Sequence, residues 1–365
     1  MDKIPRLIDI AQLAEVSIGT VDRVIHKRGR VAPKTKAKVL KIAEDLGYKP
    51  NIYASGLAAT RTTKTILIII PEKSKDPYWD EVHAGCKLAI DSIAQQRVKF
   101  TYLSFDLFDR KKFTEQVEKL DLKGIDGLLI APIFRSESKL LLDKLEEHKK
   151  PYVIINTMIE RDSEKLICYV GPNSYQSGRL AARLMSLHCS LNARVMIIPL
   201  DRDFKNAHHY LEKERGFRDW FNEMSPSTQV VTREFEMFDD PKKLSSFLDE
   251  QLADIEHLTG IFTGSSRINR IAKYLENKHI QNIRLIGYDS VENNLDYLKK
   301  GKIDYLISQN PKLMGYMGIL NLRHFLVFKL QPEKIQYLPL DILLPENVSF
   351  HSGNFFLPDP QVLTQ

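Results

Sequence analysis

From Lys64 onward, short apolar segments of strand length alternate with amphipathic stretches of helical length, such as 80–95 and 174–188. The apolar segments are TILIIIP, KFTYLSF, IDGLLIAP, PYVIINT, LICYVG, ARVMIIP, TQVVTREF, LTGIFTG, IRLIGYD and KIDYLISQ. Strands that alternate with helices form parallel sheets whose two faces are covered. The pattern therefore predicts a doubly wound α/β fold, and its length predicts two lobes, each with its own parallel sheet.

This fold class also indicates where a ligand would bind. In open α/β sheets, ligands lie outside the carboxyl ends of the strands, so we predict a small-molecule site in the cleft between the lobes. The sequence contains no H-E-x-x-H, P-loop, G-x-S-x-G or G-x-G-x-x-G motif. His208-His209 with Asp201 and Asp203 is a weak metal candidate, because adjacent residues do not easily share one ion. We therefore expect no enzymatic activity, no metal and no cofactor.

Charge is distributed unevenly along the chain. Residues 1–64 contain 13 Lys and Arg against 6 Asp and Glu, whereas the remainder contains 40 against 41. A basic segment on a neutral body is typical of a protein that binds a polyanion through that segment alone.

Cysteine content and hydropathy indicate the compartment. Cys86, Cys168 and Cys189 show no zinc-binding spacing, which fits reduced thiols in a cytosolic protein. No signal peptide precedes the first helix, and no apolar run approaches the roughly 20 residues that span a bilayer. We expect a cytoplasmic protein without a membrane partner.

The basic segment has the pattern of three short helices. The first is indicated by the helical spacing of Ile8, Ala11 and Leu13-Ala14. Ser17 can cap the second helix, which buries Val21, Val24 and Ile25. The third helix follows Pro33 and stops at Gly47, and its buried residues are Val39, Ile42, Ala43 and Leu46. This arrangement predicts a helix-turn-helix module whose second helix lies in the major groove of DNA.

The stretch LIDIAQLAEVSIGTVDRVIHKRGRVAPKTKAKVLKIAEDLGYKPNIYASGLA resembles the DNA-binding head of lactose-repressor-type bacterial regulators. The resemblance implies that Ile18, Gly19 and Arg23 contact bases, and that Ser17, Thr20 and His26 lie nearer the DNA backbone. Asp22 departs from the family, which usually has Ser there; it can accept a hydrogen bond from a cytosine amino group or pair with a neighbouring Arg or Lys. Ala32 replaces the usual Ser cap of the third helix, at a cost of about 1 kcal/mol.

The segment PNIYASGLAATRT resembles the hinge of the same family. The resemblance implies a segment that becomes helical on operator DNA, where leucines from two subunits open a minor-groove step. Ala54 and Leu57 match its A-x-x-L positions. Gly56 is a departure that weakens helix propensity by roughly 1 kcal/mol relative to Ala.

The body resembles periplasmic sugar-binding proteins and the effector domain of the same regulators. The resemblance implies eight effector-binding positions: Asp76, Tyr78, Trp79, Asn156, Lys213, Ser265, Asp289 and Gln309. Arg215 is a second candidate for the cation at Lys213. Asn156, Lys213 and Ser265 depart from the family's usual residues. The implied effector is a sugar or sugar derivative, and Lys213 with Arg215 leaves room for an acidic or phosphorylated one.

These inferences predict a domain organisation and a function. We expect a helix-turn-helix head at 1–50, a hinge at 51–63 and a two-lobed body at 64–365, with lobe one at about 64–171 and 310–338 and lobe two at about 172–309 and 339–365.

The predicted function is a ligand-responsive repressor of carbohydrate-utilisation genes that binds double-stranded operator DNA as a homodimer. The tail lacks the leucine heptads of a tetramer-forming coiled coil. The alternative is a cytoplasmic sugar-binding or enzymatic α/β protein without operator function. The sequence leaves open whether the ligand is an inducer or a corepressor.

Overall fold

The chain divides into two units, Met1–Ala59 and Thr60–Gln365. The structure, a computed structural model, describes residues 5–25, 31–48, 63–73, 76–93, 98–202, 204–253 and 258–351. In this described part of the chain, no helix is long and apolar enough to cross a membrane.

Where the structure describes it, the first unit has three short helices, α1 (Leu7–Ala14), α2 (Ile18–Ile25) and α3 (Pro33–Asp45). Their common core contains Ile10, Ala11, Ala14, Val21, Val24, Val39 and Ala43. The helices confirm the predicted all-α head, but the buried face of α1 differs from the spacing that we read in the sequence. Ile10 is buried there, whereas Ile8 and Leu13 are 40% and 57% exposed. Ile10 and Ala14 are one helical turn apart, so they face the other two helices together.

The ends of α3 follow from local sequence. Pro33 occupies its first turn, where a missing amide hydrogen costs nothing, and Ala32 provides no side-chain cap. The helix stops before Gly47, whose φ of +61° lies in the left-handed region that glycine tolerates.

In the described residues, the second unit contains two six-stranded sheets. The first has the order β11-β5-β4-β3-β1-β2, with β1 (Lys64–Pro71), β2 (Val98–Phe105), β3 (Gly127–Ile130), β4 (Tyr152–Ile155), β5 (Leu166–Gly171) and β11 (Ile335–Tyr337). All its pairings are parallel, and Lys64 lies opposite Val98 in the β1–β2 register. We call this sheet and its covering helices the first lobe.

The second sheet has the order β12-β10-β9-β8-β6-β7, and with its helices it forms the second lobe. Its strands are β6 (Arg194–Ile197), β7 (Gln229–Thr232), β8 (Leu258–Phe262), β9 (Arg284–Tyr288), β10 (Tyr305–Ser308) and β12 (Asp341–Leu343). Only β12 runs antiparallel to its neighbour among these strands. The two parallel-sheet lobes confirm the predicted fold class, and the ten predicted strands are all present.

Helices cover both sheets, as parallel sheets require. In the first lobe they are α4 (Pro77–Ser92), α5 (Arg110–Glu118), α6 (Arg135–Glu147) and α12 (Pro311–Arg323), which continues as a π-helix over His324–Phe328. In the second lobe they are α7 (Ser174–Ser186), α8 (His208–Met224), α9 (Pro241–Ala253), α10 (Ile268–Asn277) and α11 (Glu292–Lys299), with a 3-10 turn at Phe204–Asn206. Inner strands such as β3 and β4 are buried along their whole length, which explains their unbroken apolar sequences.

Within the described residues, the chain passes between the lobes three times. The passages lie between Gly171 and Ser174, between Ser308 and Pro311, and between Tyr337 and Asp341. The second and third are hydrogen-bonded to each other, because the Asn310 side-chain amide donates to the Pro339 carbonyl oxygen at 2.8 Å and to Asp341 Oδ2 at 3.1 Å.

Candidate functional site

The start of α2 presents small polar side chains. Ser17 Oγ accepts a hydrogen bond from the Thr20 amide at 3.2 Å and lies 3.0 Å from Thr20 Oγ1. Ser17 therefore caps α2, as its sequence position predicted, and it fixes the turn that joins α1 to α2.

The remaining predicted DNA-contacting residues of α2 lie on its exposed side. Ile18 is 47% exposed, and Gly19 and Arg23 are also exposed. Arg23 Nε donates to the Gly19 carbonyl oxygen at 3.1 Å, so the guanidinium lies along the helix. His26, Ala54 and Leu57 lie outside the described residues.

Asp22 departs from the family pattern, and the structure identifies one neighbour of its carboxylate. Burial raises the pKa of the Tyr48 hydroxyl, and the charge of Asp22 raises it further. Asp22 therefore acts electrostatically on Tyr48, which follows the head's third helix in the chain.

The eight residues that the resemblance placed at the effector site line one cavity between the two lobes, with a volume of about 310 Å³. They are Asp76, Tyr78, Trp79, Asn156, Lys213, Ser265, Asp289 and Gln309. We call this space the interlobe cavity. Most of these residues follow directly on strands or begin helices, so the carboxyl edges of both sheets form its walls. Its volume is near the lower end of the range for small-molecule sites, about 300–1,000 Å³.

Two of the eight residues have unusual backbone conformations. Asn156 follows β4 and Asp289 follows β9, and each has a φ of +67°. Asn and Asp tolerate this left-handed region better than other non-glycine residues. The conformation turns each chain sharply at the edge of its sheet and places a polar side chain in the cavity.

Asp289 and Lys213 form the electrostatic centre of the cavity. They are 3% and 2% exposed, respectively. Burial raises the pKa of Asp289 to about 6, against the opposing effects of Lys213 and Gln309. Burial lowers the pKa of Lys213 to about 8, against the opposing charge of Asp289. Both groups are therefore charged near pH 7, but each is near the limit of its charged range.

Hydrogen bonds fix these two side chains. Gln309 Nε2 donates to both carboxylate oxygens of Asp289, at 3.0 and 3.1 Å. Lys213 Nζ donates to the Gly264 carbonyl oxygen at 3.0 Å and lies 3.8 Å from the centre of the Tyr288 ring. The protein's own hydrogen bonds therefore orient both side chains, which lowers the entropy cost of binding a ligand.

Asp289 does not act as a helix cap. The cap residue of α11 is Val291, and the Asp289 carboxylate instead bonds Gln309. The buried Asn294, on α11, donates through Nδ2 to the carbonyl oxygens of Ser266, Tyr288 and Asp289 at 2.9, 2.9 and 3.2 Å. Asn294 thus holds the loops after β8 and β9 together, a role that the sequence did not reveal.

The structure distinguishes the two cationic candidates on α8. Lys213 reaches the interlobe cavity, whereas the Arg215 side chain is 59% exposed and pairs with Glu212 at 2.5 Å. Positions two apart on a helix point in nearly opposite directions, so only one of them can enter the cavity.

The aromatic residues of α4 are packed as well as cavity-lining. The Tyr78 hydroxyl donates to Asn156 Oδ1 at 2.7 Å, and Trp79 meets the Tyr78 ring edge-on at 5.2 Å. Both aromatic side chains are at least nine-tenths buried, at 6% and 3% exposure. They therefore shape the wall of the cavity and also belong to the core of the first lobe.

Sequence reasoning missed several cavity residues. Arg267 follows β8 and contacts Asp76 and Asp201, and His209 lies 3.2 Å from Thr157 Oγ1 of the first lobe. Burial and the neighbouring Lys213 hold the pKa of His209 well below its ordinary value, so its ring is neutral at pH 7. The described residues contain no group of three or more metal-binding side chains.

Close contact between α7 and α8 positions Lys213. A Cβ atom on Gly178 would lie 1.9 Å from the Lys213 carbonyl oxygen, and one on Gly216 would lie 2.0 Å from that of Tyr175. These two glycines therefore allow the helix backbones to touch.

We expect Gly178→Ala to separate α7 from α8, lower the free energy of unfolding by about 1–3 kcal/mol and displace Lys213. Chemical denaturation measures the first effect. The control is Gln176→Ala, an exposed position on α7, which should change stability little. Equal stabilities for the two variants would mean that the helices adjust without cost.

The comparisons with known proteins cover both units. Residues 6–51 match the model of bacterial regulatory proteins of the lacI family, and residues 66–329 match the model of a periplasmic binding protein domain. The chain thus carries a lacI-family DNA-binding domain, and over most of its length it belongs to the periplasmic binding protein domain family. The two matched domains correspond to the two units of the structure, the helical head and the two-lobed body.

Individual relatives agree with this assignment. The chain is 26% identical over 309 residues to the sucrose operon repressor of Streptococcus mutans, covering 81% of this chain and 86% of the relative. It is 31% identical over 151 residues to the HTH-type transcriptional regulator DegA of Bacillus subtilis, covering 41% of this chain and 43% of DegA. The match with DegA thus spans less than half of that protein.

A solved structure extends the likeness to three dimensions. A chain described as a LacI transcriptional regulator from Bacteroides fragilis superposes with a TM-score of 0.72 at 26% identity, over 80% of this chain and all of that one. The two-lobed architecture of this chain is therefore shared with a known structure.

Proposed function

We propose that this chain represses carbohydrate-utilisation genes and that a small sugar or sugar derivative, bound in the interlobe cavity, controls its affinity for operator DNA. The observation that carries the proposal is the convergence of eight separate sequence positions on one cavity of about 310 Å³. The sucrose operon repressor, a relative that aligns over most of its length, supports a carbohydrate effector.

The chemistry of the cavity suits a polyhydroxylated ligand. The Asp289 carboxylate can accept hydrogen bonds from two adjacent hydroxyl groups, and Lys213 and Gln309 can donate. Trp79 and Tyr210 line the same cavity, and aromatic side chains can pack against the C–H face of a sugar ring. These groups support a role in effector binding for Asp289, Lys213, Gln309 and Trp79, and we propose that Tyr78, Asn156 and Ser265 complete the lining of the site.

We propose further that Ser17, Ile18, Gly19, Thr20, Arg23 and His26 contact operator DNA, and that Ala54 and Leu57 act at the minor groove. The exposed side of α2 supports the first part. The proposed organisation is a head at 1–50, a hinge at 51–63 and a body at 64–365, with lobes as predicted from the sequence. A two-fold homodimer would match two operator half-sites. We propose that the chain acts in the cytoplasm and is not an enzyme.

A thermal-shift screen of the full chain tests this function against neutral sugars, sugar acids and sugar phosphates. A ligand at 100 times its Kd stabilises a protein by about 2.7 kcal/mol, which corresponds to a shift of roughly 5 °C in Tm. Operator titration with each hit then shows whether it weakens or strengthens DNA binding. A chain that binds a sugar but selects no DNA sequence would support the alternative, a sugar-binding protein without operator function.

We expect effector affinity to be highest between about pH 6 and pH 8. Below about pH 6 Asp289 takes up a proton and loses acceptor capacity, and above about pH 8 Lys213 loses its proton and its charge. Calorimetric titrations at pH 5, 7 and 9 measure the profile. In Asp289→Asn, which has no group to titrate at this position, the acid limb should disappear. An unchanged Kd from pH 5 to pH 9 in the native chain would contradict the assigned roles.

A further inference from the structure

Asp76 makes its contacts with the protein itself. It is the first-lobe residue that caps α4, and its Oδ1 accepts from the Tyr78 amide at 3.1 Å. Across the cleft, Arg267 Nη2 donates to Asp76 Oδ2 at 2.6 Å, and Ser266 Oγ donates to the two carboxylate oxygens at 3.1 and 3.3 Å. Asp76 and Arg267 are only 6% and 8% exposed, so this is a buried ion pair that joins the two lobes.

The second lobe holds Arg267 in place independently of Asp76. Its Nη1 donates to the Leu200 carbonyl oxygen at 3.1 Å and lies 3.7 Å from Asp201 Oδ2. Its guanidinium carbon lies 5.0 Å from the centre of the Phe238 ring, on its own lobe, and 5.5 Å from that of Phe108, on the first lobe. The arginine is therefore preorganised to receive a carboxylate from the first lobe when the cleft closes.

A second contact across the cleft lies near this ion pair. Asn206 Nδ2, from the second lobe, donates to Glu137 Oε2 at 3.1 Å, and Asn206 Oδ1 accepts from the Ser136 amide at 3.2 Å. Asn206 lines the same cavity as Asp76 and Arg267. The lobes thus meet through polar contacts of the protein alone.

We propose that Asp76 and Arg267 form a latch through which the protein's own groups hold the interlobe cavity closed, and that Asp76 serves lobe closure rather than effector contact. Its carboxylate accepts from Tyr78, Ser266 and the charged Arg267, whereas the Asp289 side chain accepts from the amide of Gln309, so Asp76 is less able than Asp289 to bind a ligand. A closed cleft admits an effector only when it opens, so the latch sets the rate of binding through the open fraction. The closure itself is independent of the proposed function; its effect on effector binding rests on that function.

Distance measurements between spin labels test the closure on the full chain without ligand or DNA. The labels are placed by Lys139→Cys on α6 and Lys242→Cys on α9, both exposed, in a background with Cys189→Ser. Labelled chains are diluted with unlabelled chains, so that distances within one chain dominate.

The interlobe distances of variants that break the latch are compared with those of a variant that breaks an arginine ion pair outside the latch. Asp76→Asn keeps an acceptor for the Tyr78 amide, so the cap of α4 should persist, and Arg267→Met removes the partner charge. Each variant, and the two combined, should shift the interlobe distances to longer values by the same amount, because they break one interaction. Arg179→Met, which breaks an ion pair within the second lobe, should retain the distances of the native chain. Native distances in all latch variants would overturn the proposal.

Binding kinetics distinguish a latch from an effector contact. Loss of a latch should raise both the association and dissociation rates of a sugar identified by thermal shift, by about tenfold, and should change Kd by less than about threefold. If Asp76 contacted the effector, only dissociation would become faster and Kd would rise in proportion, which would overturn its assignment to closure. If no sugar binds, the proposed function fails, while the label distances still decide whether the latch exists.

Discussion

Asp289→Ala is expected to remove most of the response of operator binding to the effector, while affinity for the operator without effector stays at the native value. Asp289 is 3% exposed and is oriented by two hydrogen bonds from Gln309. A buried charged acceptor commonly contributes more than about 1.5 kcal/mol per hydrogen bond. Two bonds to adjacent hydroxyls would then correspond to a loss of about 100-fold or more in affinity.

The loss of affinity becomes a loss of regulation because a ligand shifts an equilibrium only by its differential affinity for the two states. Operator titrations with and without effector measure the response. Asp296→Ala, a carboxylate on α11 outside the interlobe cavity, serves as the control. A half-maximal response of Asp289→Ala at the native effector concentration would show that the carboxylate does not contact the ligand.

Arg23→Ala is expected to abolish sequence preference and to leave weak, salt-sensitive binding to any DNA. Arg23 is exposed in the last turn of α2, and its Nε bond to Gly19 leaves both terminal nitrogens available for a base. A bidentate contact from arginine to guanine contributes about 1–3 kcal/mol of discrimination. Phosphate contacts by the other basic residues do not depend on sequence, so they would persist.

Selection from a random pool of DNA sequences measures this preference. Lys41→Ala, an exposed lysine on α3, is the control, and it should lower affinity for all sequences equally if it touches phosphate. Recovery of the same operator by Arg23→Ala, with undiminished preference, would mean that α2 is not oriented in the major groove as proposed.

Whether the sequence alone indicates a strand depends on how that strand is buried. Strands such as β3 and β4 were evident because a parallel strand covered on both faces is an unbroken apolar run. β11 and β12 have three residues each, and most of their residues are not buried, so no such run marks them. The order of strands in each sheet depends on contacts between distant segments, which no local pattern contains.

The site residues divide in the same way. The family resemblance placed Asp289 and Gln309 at the site, and each directly follows an apolar strand that the sequence marks clearly. Arg267 also follows a strand, but its meaning depends on Asp76, which is 191 positions away and in the other lobe. The choice between Lys213 and Arg215 required the rotation of α8 about its axis, and this rotation is fixed by Gly178 and Gly216.

The three chain passages between the lobes also limit how one lobe can move relative to the other. A single passage would act as a swivel and two would define an axis, whereas three neighbouring passages resist both twisting and sliding. Asn310 couples two of them by bonding Pro339 and Asp341. The lobes are therefore left with essentially one bending coordinate. A ligand or a substitution that moves the lobes therefore changes the angle between them about that same axis. Different ligands would then differ in the size of this angle.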